Sequence, residues 1–133
     1  MKRIFTLMAL FELVAGLALL CWPAAAVKLL LGASLEGWAA LVVARVGGTA
    51  LLTLGVACWM AHYDAESRGA RRFLSAMVIY NLGAVVILGA AGLGSQPVGM
   101  ALWAAVLLHL AMTVWSIATL VKRWKDAFPF HKR

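Results

Sequence analysis

The sequence predicts an all-α integral membrane protein, a four-helix up-down bundle with a short interfacial helix between the first and second spans. Two observations support this fold class. Of the 133 residues, 65% are hydrophobic and only 13% are charged, a composition outside the range of soluble domains. The apolar residues form four long stretches, each able to cross a hydrocarbon core of about 30 Å. Little chain remains outside them, so we expect a single transmembrane domain over residues 1–133.

The first predicted span covers residues 4–22 and is followed at once by Pro23. Tryptophan favours the membrane interface and proline cannot continue a helix, so Trp22 and Pro23 indicate its outer end. The next segment, residues 24–32, contains Lys28 and is too short to cross. We expect it to lie along the outer interface as a short helix closed by its final glycine, with re-entrant insertion as the alternative.

The remaining spans are predicted over residues 37–61, 73–92 and 98–121. All three are apolar around the whole circumference of the helix, a pattern typical of helices immersed in lipid. Only a short turn separates the third span from the fourth, so these two are expected to be antiparallel neighbours. Residues 122–133 form a basic and aromatic tail, expected on the cytoplasmic side.

The formal net charge of +7 is distributed unevenly along the chain. Most basic residues flank the span ends of one side, whereas Lys28 is the only one in a loop on the other side. We expect the protein in the cell inner membrane. The positive-inside rule then places both termini and the loop 62–72 in the cytoplasm. Because these residues are divided among three short segments, the lipid bilayer is an expected partner and nucleic acid is not. The flanking residues are Lys2, Arg3, Arg68, Arg71, Arg72, Lys122, Arg123, Lys125, Lys132 and Arg133.

Each span carries one strongly polar residue near its middle, and these are Glu12, Arg45, Asn81 and His109. A charged side chain at membrane depth costs from about 3 to more than 10 kcal/mol unless it finds a partner or water. At a rise of 1.5 Å per residue the four lie within roughly 6 Å of one another in depth, so we expect them to meet in one layer. The sequence thus predicts a ligand-binding or proton site, with Thr49, Thr113 and Ser116 in supporting positions.

The four side chains have complementary chemistry. A guanidinium stays charged and offers five donors, so Arg45 is expected to pair with Glu12 or with an anionic ligand. Asn81 would orient its neighbours, and His109 would change its protonation state. The resulting hypothesis is a small transporter or sensor that binds a small polar or amphipathic ligand or handles protons.

A structural interpretation of the same residues stays open. Polar side chains in membrane bundles also fix helix arrangement, each hydrogen bond contributing about 0.6 to 2 kcal/mol. The alternative function is therefore a non-catalytic accessory or assembly subunit of a larger membrane complex, and a homo-oligomer is compatible with either hypothesis. A ligand site predicts a cavity at the four residues, whereas a structural layer predicts direct side-chain pairing and an outer face that awaits a partner.

No cofactor, metal site or catalytic residue is predicted. The sequence contains no nucleophile–base pair, phosphate-binding loop or zinc signature, so an enzyme is not favoured. Haem usually needs two axial ligands, and His109 is the only histidine placed inside a span. A haem site is therefore not expected.

The segment from Phe11 to Gly16 resembles the first helix of the small multidrug-resistance exporters. Those are four-helix proteins of similar length, in which an intramembrane glutamate exchanges protons for cationic drugs, and Glu12 is the matching residue here. Arg45 and His109 have no place in the family's pattern, and Arg45 would repel a cation. We therefore infer no membership from this resemblance.

Overall fold

The computed structural model describes residues 1–127, and this part of the chain folds into five α-helices. The predicted all-α class is confirmed for these residues. The end of the predicted tail, residues 128–133 with Lys132 and Arg133, lies outside the described residues. The helices are α1 (Lys2–Cys21), α2 (Pro23–Leu31), α3 (Trp38–Tyr63), α4 (Arg68–Leu93) and α5 (Leu102–Ala127).

Four of these helices, α1, α3, α4 and α5, are long and apolar enough to cross a membrane. The fifth, α2, has nine residues and is too short to do so. The prediction of four long apolar helices, with a short helix after the first, is therefore confirmed. As predicted, α2 is closed by glycine: Gly32 adopts a left-handed conformation with a φ of 70°, which costs a glycine nothing sterically.

The helix boundaries differ from the predicted spans most clearly at α5. This helix begins at Leu102, a few residues later than predicted, because the preceding backbone bonds to α2 instead. The N–H of Ala101 donates to the carbonyl of Leu29 at 3.1 Å. At its other end α5 continues to Ala127, since the lysine and arginine that follow the apolar stretch are good helix formers.

The most extensive helix packing joins α1 to α3 through a close approach of glycines. A Cβ added to Gly48 would lie 2.8 Å from the carbonyl oxygen of Gly16 and 2.7 Å from the backbone nitrogen of Leu20. Gly55, two turns further along α3, faces Leu13 in the same way. Small residues of this kind let two helix backbones gain van der Waals contact where lipid removes the hydrophobic advantage.

The second extensive pairing joins α4 to α5, and buried apolar residues of both pairs pack together at one end of the molecule. We call it the basic end: α1 and α4 begin there, and α3 and α5 finish there. Thr6 and His62 are hydrogen-bonded across α1 and α3, 2.8 Å apart, and Phe5 stacks on Phe73. The buried apolar core consists of Ile4, Phe5, Met8, Ala9, Cys58, Ala65, Ala70, Leu74, Met77 and Met112.

Candidate functional site

Three of the four predicted site residues lie together where α1, α4 and α5 face one another. Glu12 and Asn81 are buried, with exposed fractions of 5% and 2%, and His109 is half-buried beside them. A fourth side chain, Tyr80, joins this group. We call these four residues, Glu12, Tyr80, Asn81 and His109, the polar network.

Hydrogen bonds between helices hold the polar network together. The hydroxyl of Tyr80 on α4 donates to Oε2 of Glu12 on α1 at 3.0 Å. The side-chain nitrogen of Asn81 donates to the carbonyl of Met77 at 2.7 Å, which turns its side-chain oxygen towards His109. Nδ1 of His109 lies 2.8 Å from that oxygen. Because an amide oxygen only accepts, this geometry makes Nδ1 the protonated nitrogen of the imidazole.

The two interhelical bonds are linked by a ring contact. The rings of Tyr80 and His109 meet edge to face, with centroids 5.8 Å apart and an interplanar angle of 81°, an arrangement that aromatic rings prefer. A continuous chain of contacts therefore runs from Glu12 through Tyr80 and His109 to Asn81. It connects α1 with α4 and α5, which lie far from α1 in sequence.

The sequence-based prediction left Tyr80 out of the site and assigned it to a neighbouring face of the helix, because it took one polar residue from each span. Neighbouring side chains on a helix point about 100° apart, so Tyr80 and Asn81 cannot share a direction. The helix α4 uses both directions: Tyr80 faces Glu12 on α1, whereas Asn81 faces His109 on α5. The available signal was the tyrosine itself, since a hydroxyl in the middle of an apolar stretch needs an acceptor.

The structure does not bring Arg45 to the other three predicted residues. Its side chain is exposed and makes no hydrogen bond or ion pair with the residues described, 1–127. There are two reasons. The orientation of α3 turns Gly48 and Gly55 towards α1 and directs Arg45 to the side, and the contact of Gly48 with Leu20 places Arg45 near the outer end of α1, about 15 Å from the level of Glu12. The expected pair between Arg45 and Glu12 is absent, and the four-residue layer is corrected to three of its members plus Tyr80.

Arg45 belongs to a surface that no other helix of residues 1–127 covers. We call this surface the outward face of α3, and define it by five exposed residues within about 100° of arc. They are Val42, Arg45, Val46, Thr49 and Thr53.

The three predicted supporting residues, Thr49, Thr113 and Ser116, do not extend the polar network. Each hydroxyl donates to the backbone carbonyl of its own helix, four residues earlier, at 3.0, 2.8 and 2.6 Å. Thr113 and Ser116 are buried, whereas Thr49 is exposed on the outward face of α3. Such bonds satisfy the hydroxyl locally, so these residues add no link between helices.

The polar network is satisfied by direct pairing. Within residues 1–127, no buried side-chain nitrogen or oxygen lacks a hydrogen-bond partner. Three clefts open at the basic end, and none of the three is lined by a network residue. In the same described part of the chain, no three His, Cys, Asp or Glu side chains lie close enough to hold a metal ion. The network can fix the mutual positions of α1, α4 and α5, and it contains two groups able to exchange protons, Glu12 and His109.

Comparisons with protein-family models, with curated proteins and with solved structures found no match to this chain.

Proposed function

We propose that this chain is a multi-pass protein of the cell inner membrane and acts as a non-catalytic assembly subunit of a larger membrane complex. In this proposal α1, α3, α4 and α5 cross the bilayer as an up-down bundle with both termini in the cytoplasm. The concentration of arginine and lysine at the basic end supports that orientation. The polar network then serves as an internal brace, since its side chains pair directly with one another.

One observation carries the proposal: Arg45 is a charged residue within the proposed span of α3, and its side chain is exposed and without a partner in residues 1–127. It lies seven residues beyond Trp38, or about 10 Å along α3 from its first residue. An isolated charge at this depth is costly in lipid, and such residues usually pair with an opposite charge. A membrane partner with a carboxylate at the same depth would remove this cost.

The proposed occupant of the outward face of α3 is a transmembrane helix of a different protein, with an Asp or Glu facing Arg45. A second copy of this chain does not fit, because it offers no free carboxylate at that depth. Glu12 is buried against Tyr80. The other acidic residues lie outside the predicted spans, at Glu36, Asp64, Glu66 and Asp126.

The residues around Arg45 suit close helix packing. Val42, Val46, Thr49 and Thr53 have short or β-branched side chains, and all are exposed. Surfaces of this type allow a partner backbone to approach closely. The competing partner is a lipid phosphate, since an arginine on a helix points towards the N-terminus and can extend to the interface.

Photo-crosslinking in cells at native expression tests the proposal. A photoreactive amino acid at Val46 is expected to give one discrete protein adduct, which the substitution Arg45→Leu abolishes. The adduct partner must contain an intramembrane Asp or Glu, and its change to Asn or Gln must also remove the adduct. The matched control places the same photoreactive group at Ile87, which is 69% exposed on α4, where no such adduct is expected.

Three outcomes would contradict the assembly proposal. Adducts to lipid alone would identify Arg45 as an interfacial anchor. Adducts to a second copy of this chain would replace the foreign partner by self-association. A protein adduct that persists in Arg45→Leu would mean that charge does not hold the partner.

Proton handling is a second candidate, and the environment of Glu12 favours it. This buried carboxyl group is bonded to the hydroxyl of Tyr80 rather than to a cation. The ring contact between Tyr80 and His109 places a second titratable group next along the same chain of contacts. In proteoliposomes with a pH-sensitive dye inside, this candidate expects a proton flux that Glu12→Gln abolishes. A wild-type protein with no flux under an imposed pH gradient and membrane potential would contradict it.

A further inference from the structure

A cleft at the basic end separates the first turns of α4 from the last turns of α5. Its volume is about 630 Å³, within the range of small-molecule sites. Four guanidinium groups and one carboxylate line it, together with an indole and apolar atoms. The polar and aromatic lining residues are Arg68, Arg71, Arg72, Arg123, Trp124 and Asp126.

Two of the four arginines are held by residues of this chain. Arg123 forms a salt bridge with Glu66 and donates a hydrogen bond of 2.6 Å to it. Arg71 donates to the backbone carbonyl of Glu66 at 3.1 Å. Arg68 and Arg72 are exposed and make no hydrogen bond or ion pair within the described chain, residues 1–127. The cleft therefore has two guanidinium groups available to an anion.

The start of α4 adds to this positive character. Ser67 caps the helix by accepting from the N–H of Ala70 at 2.9 Å, and the positive end of a 26-residue helix faces the same region. A guanidinium group can donate two parallel N–H bonds to the oxygens of one phosphate, and its positive charge complements the negative charge of the phosphate. The lining thus has the chemistry of a phosphate site.

An apolar stripe on α5 runs away from this cleft towards the middle of the helix. Its residues repeat at spacings of three and four, so they share one side of α5, and all are exposed. Trp124 belongs both to the stripe and to the cleft. A headgroup in the cleft would therefore have a surface for its acyl chain directly beneath it. The stripe consists of Leu110, Val114, Ile117, Val121 and Trp124.

We propose that this cleft is a binding site for the phosphate of an anionic phospholipid, with Arg68 and Arg72 as its principal ligands and the apolar stripe of α5 as the seat of an acyl chain. The inference rests on the proposed membrane placement and is independent of the polar network and of Arg45. Basic pockets between membrane helices on the cytoplasmic side are suited to anionic headgroups.

Native mass spectrometry of protein released from nanodiscs tests the site. With equal amounts of phosphatidylglycerol and phosphatidylcholine, the wild type is expected to retain phosphatidylglycerol selectively. The double substitution Arg68→Gln and Arg72→Gln should weaken this retention roughly 30-fold, about fivefold for each arginine. The matched control is Lys2→Gln with Lys125→Gln, which removes the same charge at the basic end without touching the cleft. It should retain the lipid as the wild type does.

Further measurements distinguish a lipid site from a site for free phosphate and from general surface charge. Inorganic phosphate added at constant ionic strength should leave the bound lipid in place, and its displacement would identify free phosphate as the ligand. Equal loss in the cleft variant and the control would reduce the effect to general surface charge and overturn the site. Circular dichroism checks that both variants keep their helical content. Failure of the protein to remain in membranes after alkaline extraction would contradict the membrane placement itself, whereas an inserted protein without lipid selectivity contradicts only the cleft.

Discussion

The two sides of α3 show how differently one helix can be used. Towards α1 it presents Gly48 and Gly55, and backbone meets backbone there with no room for a Cβ. About a quarter of a turn away it presents Arg45 and Thr49, which no other helix of residues 1–127 covers. The first side is covered by α1, whereas the second has a charge with no counter-charge among residues 1–127. In our proposal, α3 holds the fold together on one side and binds another molecule on the other.

Substitutions at two adjacent glycines test the side of α3 that packs on α1. We expect the largest change in stability there. Gly48→Ala should lower the free energy of unfolding by about 3 kcal/mol, because overpacking a close contact between backbones forces α1 and α3 apart. Gly47→Ala is the control: a Cβ at Gly47 would have nothing within 4 Å, so this variant should lose no stability and should gain up to about 1 kcal/mol from the better helix propensity of alanine. Steric trapping in bicelles measures both values. If both variants lost the same free energy of unfolding, α1 and α3 would have to lie further apart than in the structure.

Replacing one residue of the polar network and one residue of the outward face of α3 gives the next largest difference. Asn81→Leu should cost about 2 kcal/mol of unfolding free energy, because it removes the partner of a buried imidazole nitrogen. Arg45→Leu should leave the stability of the isolated protein within about 0.5 kcal/mol, since this side chain has no bond within residues 1–127 to lose. A strongly destabilised Arg45→Leu beside a stable Asn81→Leu would reverse our assignment of the two regions.

A smaller effect is expected from removing a single hydroxyl. Tyr80→Phe deletes the donor to Glu12 and should cost about 1 kcal/mol. The chain offers a matched control in Tyr63, which is exposed at the end of α3, and Tyr63→Phe should be neutral. The same unfolding assay compares them. If Tyr80→Phe and Tyr63→Phe have the same free energy of unfolding, the bond between Tyr80 and Glu12 contributes nothing to stability.

The smallest effect concerns the loop between α3 and α4. The hydrogen bond and charge of Arg123 hold the pKa of Glu66 below the ordinary glutamate value of 4.5. A depressed pKa means that this contact stabilises the folded state above the ordinary value and is lost as the pH falls through the depressed one. Arg123→Gln should therefore raise the pKa of Glu66 towards 4.5 in an NMR titration of its carboxyl carbon. Lys125→Gln serves as the control. If it shifts the pKa of Glu66 as much as Arg123→Gln does, the shift reflects the general positive charge of the basic end and not the contact with Arg123.

Hydropathy predicted the helices well and their orientations poorly, for one physical reason. The length and position of α1, α3 and α4 follow from apolar stretches that suit a lipid environment. A helix that is apolar on all sides has no periodicity to show which side faces its neighbours. Counting along the spans predicted Arg45 within roughly 6 Å of Glu12 in depth. The glycine contacts of α3 set Gly55 against Leu13, which places Arg45 about 15 Å further towards the outer end of α1 and on another side of α3. For the same reason the sequence did not show that Tyr80 bonds to Glu12, which lies 68 positions earlier in the chain.

The most direct test of the account is a solid-state NMR measurement of side-chain contacts in lipid bilayers. With labelled carboxyl, imidazole, amide and guanidinium groups, we expect a through-space correlation between His109 and Asn81 and another between Tyr80 and Glu12. The guanidinium of Arg45 should correlate with none of the four. A correlation between Arg45 and the carboxyl group of Glu12 would contradict the account, because it would return Arg45 to the interior and leave the outward face of α3 without a charge to neutralise.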